Sequence, residues 1–349
     1  MSERRLYLDD GCGERRGVVT LDGRPERLIL ERDGDPPEQA LGARVVARVR
    51  AVERAAGLAF LDLGVGPDAV LNVSTETGPL VVGQAVEIEI RAQSRREKGA
   101  SARLVGPAEP GPPRLLTPPP SLEEQLLACA RGVEDIRTGG VARSMADAAQ
   151  DEALRTEFAL PGGGSIAIEP TRALTAIDID LGARGGADAK RSARAANFAA
   201  LGVAARVLRL KGLGGLIVID FVGRGHDGPA LLSSARAAFG ADNPGVALGP
   251  ISRFGTLELT VPRRARPVLD ILTGETGQPS ALTLALDLVR ALEREGIADA
   301  GGRFVGIAAP EVAEAASPAL SALAARLGAR FTLRAEAGRA RDASEVARA

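Results

Sequence analysis

The chain has no tryptophan, one tyrosine and only eight phenylalanines in 349 residues. A single histidine leaves no histidine-rich metal cluster. The two cysteines, Cys12 and Cys129, stand far apart with no metal-ligand spacing, which argues against a zinc site or disulfide framework and fits a reducing cytosol. Lysine occurs three times (Lys98, Lys190, Lys211), so nearly all positive charge is arginine. No apolar run reaches the ~20 residues of a membrane helix. The opening MSERRLYLDD has none of the apolar stretch of a signal peptide, so the expectation is a soluble cytoplasmic protein without membrane contact. With 44 basic against 45 acidic side chains the formal charge is −1. That balance excludes a chain that is basic all over, and nucleic acid would have to be held by local patches. What is abundant is aliphatic material. The chain is 45% hydrophobic, enough for the cores of two or three domains.

The first 39 residues alternate as short strands, RLYLDD, GVVTLDG and RLILER. Residues 40–106 hold five longer ones, ARVVARVRAVE, LAFLDLG, DAVLNV, AVEIEIRAQ and KGASARLVG, a spacing that suggests a small closed barrel such as an OB-fold. Seven of the fourteen residues from Pro107 to Pro120 are proline, which predicts a stiff, extended connector. Ser121 then caps a short helix, SLEEQLLACARG. From about Glu157 the order is strand GSIAIEP, strand LTAIDID, a helix from about Asp188 to Leu210, strand GLIVIDF, a helix over Pro229 to Phe239, and strand TLELTV. Strand, helix and apolar strand in that order form a βαβ unit with parallel pairing. A small α/β segment over 278–337 follows, and the tail 338–349, without apolar periodicity, is expected to fray.

The chemistry concentrates in two of these strands. In LTAIDID the period of two puts Leu174, Ala176, Asp178 and Asp180 on one face, and in GLIVIDF Asp220 closes an apolar run. Parallel neighbours about 4.8 Å apart would bring Asp178 and Asp220 close enough to share one ion. Two carboxylates with waters are a usual way to hold Mg²⁺ beside phosphate oxygens. The alternative is that each aspartate caps the loop or helix that follows it. No Ser, Cys or His constellation offers a protein nucleophile, and His226, near Gly228-Pro229, has no evident partner as a base. Gly162–Gly164 and Gly185–Gly186 lack phosphate-loop spacing.

The segments LPGGGSIAIEPTRALTAIDID, NFAALGVAARVLRLKGLGGLIVIDF and ISRFGTLEL resemble the RNase E/G ribonucleases in wording and order. The resemblance implies an α+β, α/β multidomain fold. An OB-fold barrel (40–106) would be inserted in an RNase H-like part (1–39, continued by 121–160). A connector (107–120), a deoxyribonuclease-I-like catalytic subdomain (161–268) and a small α/β domain (278–337) would complete it. It implies a Mg²⁺-dependent endoribonuclease acting on single-stranded RNA, with Asp178 and Asp220 on the ion, which activates a water. The family's supporting asparagine falls on Asp180. The chain departs from the family pattern between Gly106 and Glu157, where the connector and one short helix replace the sensor of a 5′-monophosphate. It departs again near Thr273 to Pro279, where the cysteines of the family's zinc link are absent. The acid that usually follows IDF is missing at Gly223, and the basic residues after TLEL are displaced to Arg263, Arg264 and Arg266.

For RNA contact the resemblance implies Phe60 as a base-stacking aromatic, with Val70 where a second stands, and Lys98 facing RNA beside Arg91, Arg95 and Arg96. A lone Phe in a small barrel is more often a core residue than a platform, and a charged hairpin is just as often a solvated turn. Arg184 and Arg253, close to the ends of the acid-bearing strands, can neutralise phosphate. Arg253 could instead pair with Glu258 or Glu169. The rival reading is a catalytically weak or inactive RNA-binding protein that keeps the fold. A homo-oligomer through the small C-terminal domain is a further expectation.

Overall fold

The computed structural model describes residues 3–74, 78–95, 98–182, 189–240 and 244–349. The chain opens with three antiparallel strands, β1 (Arg4–Asp10), β2 (Glu14–Leu21) and β3 (Arg24–Arg32). Asp22 and Gly23 both take positive φ, 51° and 76°, the backbone that a two-residue hairpin demands.

Five further strands, β4 (Arg44–Glu53), β5 (Leu58–Asp62), β6 (Ala69–Asn72), β7 (Ala85–Ala92) and β8 (Ser101–Pro107), run β5-β6-β8-β7-β4, and β4 pairs back to β5. The sheet therefore closes into a barrel. Alternate residues such as Val45, Val49, Leu61, Leu71, Ile88 and Ile90 fill it. The expected connector is not simply extended. Its centre, β9 (Arg114–Thr117), adds to the start of β4. Pro112, Pro113 and Pro118 bracket RLLT and leave it free to donate ladder bonds.

Helix α1 (Leu122–Ala128) begins with the expected cap. Ser121 Oγ accepts from Glu124 N at 3.2 Å, and Ser121 N donates to Glu124 at 2.7 Å. Strand β10 (Ile136–Arg137) joins β1 in parallel. The expectation of one short helix before Glu157 needs correction, because α2 (Gly140–Leu154) is also present. Its buried stripe is Ala142, Ala146, Ala149 and Ala153, packed on Tyr7, Val18 and Leu28. An all-alanine stripe has the helical period but almost no hydropathy contrast, which hides it in the sequence.

The next sheet contains β11 (Glu157–Ala159), β12 (Ser165–Pro170) and β13 (Thr175–Asp180), then, after α3 (Ala189–Lys211), β14 (Gly215–Asp220), and, after α4 (Gly228–Gly240), β15 (Ala247–Ile251) and β16 (Thr256–Val261). Its order is β11-β12-β13-β14-β16-β15, and β13–β14 is the parallel pair that the βαβ pattern predicts. Ile166, Ile168, Ile177, Ile179, Ile217, Ile219, Leu257 and Leu259 point to one face, covered by Leu201, Leu208, Leu231 and Phe239 of α3 and α4. The opposite face of β13, β14 and β16 is not sealed: Asp178, Asp180, Leu216, Asp220, Glu258 and Thr260 are exposed on it.

After α5 (Val268–Leu272) a tight turn is closed by a Thr273–Pro279 bridge and leads to α6 (Ala281–Ala298), β17 (Phe304–Ala308), α7 (Pro310–Leu327) and β18 (Phe331–Ala335). The tail does not fray as expected. Glu345–Arg348 forms β19, antiparallel to β17, and Val346 packs into the small core. Its anchors are mostly polar: Arg339 to Glu336, Arg341 to Glu311 and Arg348 to Asp299. The first sheet meets α2 and α6 through a buried ionic network. Arg16 pairs with Asp9 and Asp147, Arg143 with Asp9 and Glu293, and Arg290 with Glu14. Among the described residues no helix is long and apolar enough to cross a membrane.

Candidate functional site

The register of the parallel pair places the acids. Thr175 faces Ile217, Ala176 faces Val218 and Ile177 faces Ile219. One step further, Asp178 and Asp220 are lateral neighbours about 5 Å apart at Cα, with side chains on the same face. That face is the open one. Ile177, Ile179 and Ile219 lie between helix and sheet, so the period of two turns both aspartates to solvent. Among the described residues neither carboxylate accepts a hydrogen bond or an ion pair. Among the described residues neither aspartate caps the segment that follows it, and two like charges lie side by side without a described cation paired to them.

Asp180 behaves differently. It sits two residues beyond Asp178 on the same face, and its Oδ1 accepts from Gly182 N at 2.8 Å, so it closes the turn after β13. The described residues contain no group of three or more His, Cys, Asp or Glu side chains gathered to hold a metal. What the described residues offer a cation is thus a pair of carboxylates, with Asp180 beside it. Such a pair fits a hard cation that keeps several waters, as Mg²⁺ does, and not a cage built wholly from protein. Neither acid lines the cavity of about 1050 Å³ that opens near Arg32, Pro119, Arg209 and Arg264. The pair lies on an open surface, which suits a polymer better than an enclosed small molecule.

The rim of the pair is built by the turns that follow β14 and precede β16. Asp220 faces Thr256, and Phe221 N donates to Gly255 O at 3.1 Å. Arg253 and Phe254 form the tip of this β15–β16 turn. Arg253 makes no ion pair with Glu258 or Glu169, and its guanidinium lies over the Phe254 ring, 4.8 Å from the centroid. His226 is half-buried and not a free loop residue. Its ring centroid is 5.8 Å from that of Phe221, and it packs beside Gly255. Asn197 of α3, missed in the sequence, is 2% exposed and clamps the backbone after Phe221. Its Nδ2 donates to Val222 O at 3.0 Å and its Oδ1 accepts from Val222 N at 3.1 Å. The signal was one amide in the otherwise apolar run AANFAALG.

Other predicted residues are not gathered here. Arg184 and Arg96 lie outside the described residues. Arg263, Arg264 and Arg266 follow Val261, which pairs with Gly215 at the far end of β14 from Asp220. There Arg263 donates to Gly214 O, Gln93 N to Arg264 O, and Arg266 N to Gln93 Oε1, joining the barrel to this sheet. Burial, and then the nearby Arg95 charge, lowers the pKa of Arg263. Lys98 is exposed and forms an antiparallel bridge with Arg95. Phe60 lies outside the barrel core, half-buried between Ala51 and Val70 on neighbouring strands. The core alternative for Phe60 is thereby excluded. Arg91 and Arg103 flank Glu89 on the same barrel and pair with it.

The acid pair, its rim and helix α3 fall within residues 131–264, which match the sequence model of the Ribonuclease E/G family. Similar proteins include Ribonuclease E of Escherichia coli strain K12, 36% identical over 157 residues covering 42% of this chain and 15% of that protein. Ribonuclease E of Haemophilus influenzae is 41% identical over 114 residues, 32% of this chain and 12% of the relative. Ribonuclease G of Salmonella typhimurium is 30% identical over 173 residues, 47% of this chain and 35% of the relative. The matched part of the chain thus spans about a third or less of the length of these relatives. Over that matched region the chain is similar to the ribonuclease E/G family.

Proposed function

We propose that the chain is a Mg²⁺-dependent endoribonuclease that hydrolyses phosphodiester bonds of single-stranded RNA, with the sheet of β11–β16 as its deoxyribonuclease-I-like catalytic part. The observation that carries this reading is the side-by-side placement of Asp178 and Asp220, exposed and free of any described cation, on an unsealed sheet face. Asp178 and Asp220 would hold the ion. Bound there, Mg²⁺ would lower the pKa of a water and offset phosphate charge. Asp180 stiffens the turn that ends β13, Asn197 fixes the backbone that leaves β14, and Arg253 supplies a positive charge at the rim of the pair for a phosphate. The barrel, read as an OB-fold, contributes Phe60 and Lys98 to holding the strand. The closed five-strand topology and the outward-facing Phe60 support that role.

The test is cleavage of labelled single-stranded RNA in Mg²⁺ and in EDTA, with the wild type and Asp220→Asn. Cleavage is expected in Mg²⁺ only, and the variant is expected to bind RNA but not cut it. Cleavage that survives Asp220→Asn refutes the assignment. Binding without cleavage by the wild type would favour the non-catalytic alternative.

A further inference from the structure

Among the eight phenylalanines, Phe254 alone is strongly exposed, at 76%. Phe158, Phe221, Phe239, Phe304 and Phe331 are buried in cores, and Phe60 and Phe198 are half-buried. An aromatic left in water forgoes the burial that drives folding, and here it does so at the rim of the acid pair. The turn that carries the ring is also held in place. Ser252 N donates to Thr256 O at 2.9 Å and Gly255 N to Ser252 O at 3.0 Å. Ser252 Oγ lies 2.8 Å from Thr256 Oγ1 and accepts from Phe254 N at 3.2 Å. Gly255 takes φ +89°, a conformation that suits glycine and lets the chain re-enter β16 beside Asp220.

Arg253 lies over one face of the ring, and the other is open to solvent. Glu169, Asp178, Asp180, Asp220 and Glu258 make the neighbouring sheet face acidic. A ligand at this rim therefore meets a flat apolar ring and a guanidinium together, at the edge of an anionic field. A flat aromatic group attached to an anion matches that combination, and an unpaired nucleotide has both parts.

We propose that Phe254 is the base platform of this site: an unpaired nucleobase next to the reacting phosphate stacks on its open face while Arg253 meets the adjoining phosphate. The inference rests on the acid pair being a nuclease centre. It gives a preference for unpaired RNA an origin at the reaction site itself, because a base in a duplex has no free face to offer.

The chain has no tryptophan, so Phe254→Trp places a single indole at the rim. In EDTA, single-stranded RNA is expected to quench this indole, whereas a duplex or an abasic ribose-phosphate oligomer of equal length is not. Phe254→Ala is expected to raise KM for single-stranded RNA by roughly 5- to 150-fold, the equivalent of losing one stacked base, with kcat largely kept. Phe254→Tyr is expected to restore KM. An unchanged KM in Phe254→Ala, or equal quenching by the abasic oligomer, overturns the platform. Cleavage that survives Asp220→Asn refutes the nuclease centre whatever Phe254 does. A dead Asp220→Asn with a wild-type Phe254→Ala refutes the platform alone.

Discussion

A metal-free melt and a magnesium melt of Asp220→Asn are expected to shift in opposite directions relative to the wild type. Asp178 and Asp220 are register neighbours and both are exposed, so their repulsion passes mostly through water. Two unit charges about 5 Å apart repel by about 0.8 kcal/mol at the dielectric constant of water, and about 0.1 M salt reduces this to roughly 0.5 kcal/mol. Neutralising one acid in EDTA therefore stabilises the fold slightly. An unfolding entropy of about 2.1 cal/mol/K per residue gives roughly 0.7 kcal/mol/K over 349 residues, so Tm rises by less than about 1 °C. With Mg²⁺ at ten times a Kd of about 1 mM, the wild type gains about 1.4 kcal/mol, or about 2 °C, and overtakes the variant. The assay is a thermal melt of both proteins in EDTA and in about 10 mM MgCl₂, with NaCl of matched ionic strength as control. Equal magnesium shifts in the two proteins would refute shared ligation. A variant that melts well below the wild type in EDTA would show that Asp220 already makes a structural bond, contrary to the geometry.

Three further outcomes follow from the packing. Asn197→Ala removes two buried hydrogen bonds to Val222 and leaves both backbone groups without partners, so a loss of about 2–4 kcal/mol in urea unfolding is expected, with kcat lowered as the loop after Asp220 loosens. Burial pushes the Asp9 carboxyl up, but Arg16 and Arg143 outweigh it and hold its pKa below the usual range. Because the folded pKa is depressed, this stabilisation is present above about pH 4 and is lost as pH falls through the folded value. Asp9→Asn, which weakens the buried network, is expected to lose about 3–5 kcal/mol at pH 7 and to flatten the acid limb of the stability curve. Burial lowers the pKa of Lys211, fully enclosed against Phe158 and the Arg155 carbonyl, to about 8. The unfolded chain then binds the extra proton between about pH 8 and 10.5, so stability contributed at this site rises with pH across that window. Lys211→Met is expected to abolish that rise in denaturant melts taken at several pH values.

The strands were legible where apolar period and topology agree. LTAIDID and GLIVIDF show their buried isoleucines, the helix between them dictates parallel pairing, and the register then follows to the residue. What was hidden lacks hydropathic contrast. The alanine stripe of α2 packs by small size, β9 is four residues enclosed by prolines, and β19 is held by arginine–carboxylate pairs that have no sequence period. The site was half-visible for the same reason. Two aspartates stand out at the ends of apolar strands, but only coordinates separate Asp180, which bonds to Gly182, from Asp178, which bonds to nothing described. Phe254 was hidden by its turn, since nothing in ISRFG says whether the ring folds inward or stays out.

Charge placement connects fold and site. Arginine supplies nearly all the positive charge, yet Arg16, Arg32, Arg143, Arg209 and Arg290 are spent on buried carboxylates at the joints between sheets. Among the described residues, Asp178 and Asp220 on the open face receive none of that pairing. A polyanion approaching Asp178 and Asp220 therefore meets repulsion that nearby Arg253 only partly offsets, and a divalent cation on the pair would cancel its two negative charges. Sealing the face with apolar residues would suit stability better, since two exposed like charges on adjacent strands repel. The sheet instead buries its isoleucines on one side and leaves the acids bare on the other. An arrangement that disfavours the empty fold, and that a bound cation would relieve, is the one expected of the proposed cation site.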